Sequence, residues 1–438
     1  MNEGLKNYNR IIKEYRTPFY LYDEGLLVKR CSLIREKLPG IGICYAMKAC
    51  PIIAAVMDKH TDRLEVCSPG EYEICHRAGI KPERILVSGV NKTRESMERI
   101  MELGGDRGFF TIESPKHFDI LNEISQKFGK KLRCFIRLSG GNQFGSDQDT
   151  VFDLVKKVCD AAFLELSGIH FYAGTQKSLK KAEAELELLA DFAKKLKSLY
   201  NIKTDLEYGP GLPVDYFNPA GTVISDVKDA FDKEAEQAAG LLDELHDILI
   251  KTGIGSAYEN ITFEYGRFMA SCTGMYVTSV NDIKKNGDTF FCIVDGGIHQ
   301  INYFGSMAGM KTPYVYVSDM NETDGSGYPD IDTDSERHAE DVKGPSEDTG
   351  EKELEYVIAG SLCSANDILI RRLETEKLKI GDRLVLCLAG AYALTEGAAL
   401  FLSRDLPAVI GVFDEQVKVL RNHMEVNSIN DGSLRIIW

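Results

Sequence analysis

The segment ICYAMK (43–48) is a short apolar run that stops on a lysine, and its spacing from the runs that follow decides the fold. Seven more come after it: LEVC (64–67), RILVSG (84–89), GFFTIE (108–113), RCFIRL (133–138), LSGIHFY (166–172), TDLEYG (204–209) and ITFEYG (261–266). Longer amphipathic stretches separate them, such as Lys180–Leu199 and Val227–Lys251, in which leucine and alanine recur at helical spacing. Eight alternations of strand and helix predict an α/β fold, a (β/α)8 TIM barrel, with a doubly wound sheet as the alternative. After Gly266 the pattern changes to short strand-like runs without long helices: CTGMYVTSV, TFFCIVDGG, YVYV, EYVIAG, RLVLCLAG and AVIGVF. These predict a mostly β C-terminal domain. The early run FYLYD (19–23) is also strand-like. The expected division is therefore 1–30 pairing with the β domain, 31–280 as the barrel and 281–438 as the β domain.

Composition narrows the function. A chain of 438 residues with 44% hydrophobic and 27% charged residues is that of a globular protein of about two domains. Its net charge of −15 argues against nucleic acid and against an anionic membrane surface as partners. The start, Met1 to Arg10, is polar, so neither a signal peptide nor an anchor is expected, and no apolar run approaches membrane-spanning length. The 11 cysteines are scattered without a CxxC pair, which fits a reducing cytoplasm rather than a disulfide framework. No metal site is expected: the eight histidines do not cluster, and the first strand carries no HxH. Between Asp319 and Glu353 the chain holds 13 acidic residues against three basic ones, a composition that predicts a solvated, flexible insertion.

TIM-barrel enzymes place their chemistry where strands end on the C-terminal face. Here those ends carry Lys48, then Ser68 with Glu71, then Arg137, then His170 and Tyr172. The last two carry Gly209 with Gly211, and Glu264 with Arg267. A single lysine near a strand end is ordinarily a solvated side chain, and one Gly-x-Gly an ordinary turn. Their order along eight strands is more specific. A nucleophilic amine faces an acid, arginines and a glycine turn after the seventh strand, where barrels often bind phosphate.

YAMKAC (45–50), EVCSPGE (65–71), GIHFYAGTQ (168–176), EYGPGLP (207–213), EYGR (264–267), GSLCSANDIL (360–369) and GAY (390–392) follow one another in a recognisable order. In that order and spacing the chain resembles the fold-type-III pyridoxal-phosphate decarboxylases, the family of diaminopimelate, ornithine and arginine decarboxylases. The resemblance implies an alanine-racemase-like barrel that binds pyridoxal 5′-phosphate, plus a β domain. It implies that Lys48 forms the Schiff base with the cofactor and that Glu264 keeps its ring nitrogen protonated. Tyr172 would stack on the ring, with His170 nearby. Thr175, Gly209, Gly211, Gly266, Arg267 and Tyr392 would hold the phosphate, and Arg137 completes the cofactor set. Cys363 would return a proton to the carbon that has lost carbon dioxide. Family members build each site across a homodimer interface, so Cys363 and Tyr392 are expected to complete the site of the neighbouring chain.

Departures from the family bear on the small-molecule amino-acid substrate. Tyr172 stands where histidine is usual, and Pro210 removes one backbone donor from the phosphate loop. Ser364 follows the cysteine where basic-amino-acid decarboxylases have an acid, and VDGGIHQINYFG (294–305) lacks the Arg-Pro of diaminopimelate decarboxylases. Ser364, Asp367 and Tyr303 are the candidate substrate contacts. Together these features disfavour a distal ammonium and are similar to a divergent branch. That branch includes the decarboxylase acting on a glutamyl carrier-protein thioester, so a neutral, acylated or carrier-linked distal end is expected. Diaminopimelate itself is the alternative substrate. A racemase of the same fold would have arginine in place of Glu264. A non-catalytic binder would have lost Lys48 or the phosphate contacts.

Overall fold

A computed structural model describes residues 3–303, 309–320 and 353–431. The acidic insertion read from sequence lies almost wholly outside the described residues, as do residues 304 and 305 of the VDGGIH segment.

The chain opens with helix Glu3–Glu14 and strand β1 (Phe19–Asp23), and helix Glu24–Lys37 leads into the barrel. Eight parallel strands then close on themselves: β2 (Ile41–Ala46), β3 (Arg63–Val66), β4 (Ile85–Val87), β5 (Phe109–Ile112), β6 (Leu132–Leu138), β7 (Leu164–Tyr172), β8 (Asp205–Gly209) and β9 (Ile261–Tyr265). Each corresponds to one of the eight apolar runs, and β9 pairs back onto β2. Parallel strands sheathed in helices are buried on both faces, so β4 (ILV) and most of β5 (FFTI) read as continuous apolar runs. The intervening helices start at the caps the sequence offers. Ser68, Ser114 and Ser178 each accept a backbone N–H of the first turn, and Pro69 and Pro115 occupy the first helical position.

Among the described residues the second sheet has nine strands. After the barrel come β10 (Gly274–Asn286), β11 (Thr289–Val294), β12 (Val315–Ser318), β13 (Leu354–Ala359), β14 (Ile368–Thr375), β15 (Arg383–Leu386), β16 (Ala408–Phe413) and β17 (Gln416–Arg421). The early strand β1 lies inside this sheet, antiparallel to β10 and parallel to β16. β10 begins at Gly274, within the span assigned to the barrel from sequence. Two strands, β14 and β17, had no reading in the sequence. β14 carries exposed Arg371 and Arg372 at its centre, which breaks the alternation, and β17 is an edge strand that buries almost nothing.

The helix between β1 and β2 is tied to the barrel by a buried charge. Arg30 donates to the Phe268 carbonyl at 2.5 Å, pairs with Glu234 and lies 4.4 Å over the Phe268 ring. Both side chains of the ion pair are almost fully buried. Removing one partner of such a pair leaves an uncompensated charge in a low dielectric. Arg30→Met is therefore expected to lower the unfolding free energy by about 3–5 kcal/mol, whereas Arg30→Met with Glu234→Met recovers most of that loss. Urea denaturation of the two variants measures both.

Candidate active site

Lys48 sits in a 3-10 turn directly after β2, which aims its side chain over the mouth of the barrel. Its Nζ lies 3.3 Å from Oε2 of Glu65 on β3 and 3.7 Å from Oε1 of Glu264 on β9. The Cys67 Sγ is 3.7 Å away, and the Tyr172 ring centre 5.5 Å. Burial disfavours the ammonium, but the charges of Glu65 and Glu264 outweigh it and raise the Lys48 pKa. Burial pushes the carboxyl of Glu264 up, and Lys48 with His170 more than reverses this, holding it down at about 2. Glu264 is thus an anion at neutral pH.

The rest of the polar layer fixes these two carboxylates. His170, buried on β7, places Nε2 3.0 Å from Oε2 of Glu264. Glu65 accepts the hydroxyl of Ser88, and the Cys67 thiol donates to it at 3.0 Å. Arg137 pairs with Glu113 at 3.2 Å and donates to the Tyr172 carbonyl at 3.4 Å. Lys92, also buried, donates to the carbonyls of Ser88 and Gly89 and to the Thr111 hydroxyl. Burial brings its pKa down to about 8.

The cavity runs from Lys48 and Glu264 past Tyr172 to Thr175, the Gly211–Leu212 backbone, Gly266, Arg267 and Tyr392. Its far end is shaped by missing side chains. A Cβ on Gly211, whose φ is +60°, would lie 2.2 Å from the Gly174 carbonyl oxygen, and one on Gly209 would lie 2.4 Å from the Tyr172 ring. A Cβ on Gly266 would come within 3.0 Å of the Tyr392 hydroxyl. The N–H groups of Gly211 and Leu212 make no hydrogen bond among the described residues. Arg267 lies 4.5 Å over the Tyr392 ring and donates to the Tyr216 hydroxyl at 3.0 Å. Open amides and a guanidinium at one end, a lysine between carboxylates at the other and a tyrosine ring along one wall fit pyridoxal phosphate.

Several expected site residues fall elsewhere. Tyr392, expected to complete the site of a neighbouring chain, lines the cavity of its own Lys48, and its N–H donates to the Ala49 carbonyl at 2.6 Å. Tyr303 is buried with its hydroxyl donated to the Cys387 carbonyl at 2.5 Å, so it faces the domain core rather than the cavity. Arg137 and His170 stand behind the wall, bracing Tyr172 and Glu264. Asp367 is buried, and its carboxylate accepts the N–H groups of Ile298 and Leu362. It shapes the loop that carries Cys363 and Ser364. Cys363 is exposed on that loop, away from the cavity wall. Ser68 and Glu71 cap a helix, with Glu71 accepting the Cys67 N–H at 2.6 Å.

The sequence reading overlooked Glu65, Lys92 and Tyr216. Strand alternation within RLEVC puts Arg63, Glu65 and Cys67 on one face, which was a usable signal for Glu65. Lys92 and Tyr216 lie in loops without periodicity. His170→Leu would leave the buried Glu264 oxygen without its partner. A fall in kcat of about ten- to hundredfold is expected, with cofactor still bound. Steady-state kinetics together with the absorbance of bound cofactor check this.

A family model described as the pyridoxal binding domain of pyridoxal-dependent decarboxylases matches residues 24–271, more than half of the chain. A diaminopimelate decarboxylase of Aquifex aeolicus is 26% identical over 451 residues, covering 99% of this chain and 95% of that protein. An L-glutamyl-[acyl-carrier protein] decarboxylase of Niallia circulans is 26% identical over 437 residues, covering 94% and 92%. The solved structure of Helicobacter pylori diaminopimelate decarboxylase with L-lysine shares the fold, with a TM-score of 0.73 at 23% identity over 97% of this chain and 98% of that one. With a barrel mouth built around Lys48 and a family match across that barrel, the chain belongs to the pyridoxal-dependent decarboxylases and is an amino-acid decarboxylase that uses pyridoxal phosphate.

Proposed function

We propose that the substrate is an α-amino acid whose distal end carries no free ammonium, being neutral, acylated or linked to a carrier protein. Bound pyridoxal phosphate supplies the electron sink that receives the electron pair when the carboxylate leaves as carbon dioxide. Lys48 would be the amine that holds the cofactor, and Glu264, braced by His170, would keep a proton on the ring nitrogen. Thr175, Gly211, Gly266, Arg267 and Tyr392, which line the far end of the cavity, would hold the phosphate. Tyr172 covers one side of the cavity and excludes water from it.

The observation that carries the substrate reading is Asp367. It is the acid nearest in sequence to Cys363, and its carboxylate is buried and already bonded to two loop amides. The residue that follows the thiol, Ser364, is a neutral hydroxyl. The cavity beside Cys363 holds Asp282 together with two cations, Lys284 and Arg404, so its charge does not favour an ammonium either. The Niallia circulans relative, which acts on a glutamyl group borne by a carrier protein, supports the carrier-linked form.

The active form is read as a homodimer in which the exposed Cys363 of one subunit serves the Lys48 cavity of the other, as donor of the proton that replaces carbon dioxide. Subunits carrying Lys48→Ala and subunits carrying Cys363→Ala are each expected to be inactive. Mixed under exchange, they should regain roughly a quarter of wild-type activity, since half the dimers then hold one complete site. No recovery despite demonstrated exchange counts against the shared site.

Turnover of meso-diaminopimelate, lysine and ornithine is expected to be about two to three decades below that of a substrate with a masked distal amine or a carrier thioester. Ser364→Glu should narrow the gap. Carbon dioxide release across such a panel measures it, and ordinary efficiency on diaminopimelate would reject the substrate reading while leaving the decarboxylase intact.

A further inference from the structure

Lys177 lies just after β7, where the chain turns into helix Leu179–Tyr200, and it is buried beneath the loop that follows β8. Its Nζ donates to the Gly209 carbonyl at 3.0 Å and pairs with Glu185. Its backbone N–H donates to the Gly211 carbonyl at 2.9 Å. One residue therefore takes both glycine carbonyls of the Gly209-Pro210-Gly211 turn. Glu185 is held in turn by the Tyr208 hydroxyl at 2.9 Å. The neighbouring Gln176 locks the same two loops, with its amide donating to the Val214 carbonyl at 3.0 Å and accepting the Val214 N–H at 2.6 Å.

Carbonyl oxygens turned towards an anion repel it, and N–H groups turned towards it bind it. With its carbonyls drawn down onto Lys177, the turn leaves the Gly211 and Leu212 N–H groups without partners among the described residues, beside the cavity. Pro210, between the two glycines, contributes no N–H at all. The buried ammonium, its charge paired with Glu185, acts on the turn through the carbonyl it holds rather than through net charge.

We propose that Lys177 is a positioning residue for the cofactor phosphate: it orients the Gly209–Leu212 turn with its remaining N–H groups towards the phosphate, in a turn that Pro210 leaves one donor short. This rests on the reading that the phosphate sits at that turn beside Arg267. Lys177 does not line the cavity. Its effect is confined to the phosphate end of the ligand, which separates it from a residue that merely stabilises the fold.

The full-length enzyme, stripped of cofactor with hydroxylamine, is titrated with pyridoxal phosphate and with pyridoxal, which lacks the phosphate. Lys177→Gln should weaken pyridoxal phosphate binding by about tenfold while pyridoxal binding changes by less than about twofold. Arg267→Met serves as the reference and should show the same selective loss. A selective loss for Arg267→Met with none for Lys177→Gln overturns the proposal and leaves the phosphate site in place. Selective loss for neither variant removes the phosphate site from this turn, and the proposal with it. Equal weakening of both ligands by Lys177→Gln makes the residue structural only and also overturns it. Should Lys177→Gln fail to fold, Pro210→Ala carries the test: restoring an N–H to the turn should strengthen pyridoxal phosphate binding and leave pyridoxal unchanged, and no such gain overturns the proposal.

Discussion

An ammonium held between two carboxylates organises the barrel mouth. Lys48, itself partly exposed, projects from the end of β2 between the buried Glu65 and Glu264, and two carboxylates buried so close are tolerable only if each has further partners. The surrounding residues meet that demand. His170 completes Glu264, while Ser88 and Cys67 complete Glu65. Arg137 with Glu113, and Lys92 with the carbonyls of its own loop, extend the polar layer from strand to strand. A closed parallel barrel is suited to this, because every strand delivers its C-terminal residue to the same rim.

The opposite end of the cavity is built on different physics. There the wall is mostly backbone, and the side chains that would crowd it are absent: Gly209 and Gly211 stand where a Cβ would collide, and one on Gly266 would press on the Tyr392 hydroxyl. Arg267 supplies the charge, steadied by the tyrosines at positions 216 and 392. Tyr392 comes from the β domain, so the mouth of the barrel is finished by the second sheet folding back on Ala49. The two domains are thus coupled at the Lys48 cavity. The coupling is reinforced by β1, which leaves the start of the chain to lie between β10 and β16.

The loop that bears Cys363 shows how a conspicuous acid can have a local task. Asp367 looks like a substrate anchor in sequence because it follows the thiol closely. In the fold its carboxylate is spent on the amides of Leu362 and Ile298, which pins the GSLCS turn to the β11 end and leaves the thiol on the outside.

Patterns of short range were legible in the chain itself. Eight apolar runs at the right intervals became eight barrel strands, and Lys48, Glu264, Arg267 and the Gly-x-Gly turn could be placed because residue order along parallel strands maps directly onto position around one rim. Strands that bury little escaped notice, as β17 did, since hydrophobic alternation reports burial and not pairing. Tertiary structure alone decided which carboxylate meets which cation, that His170 braces Glu264 from behind, that Tyr392 serves its own chain and that Tyr303 turns to the Cys387 carbonyl. Those outcomes depend on barrel closure and on where a loop returns hundreds of residues later, and local sequence carries no record of either.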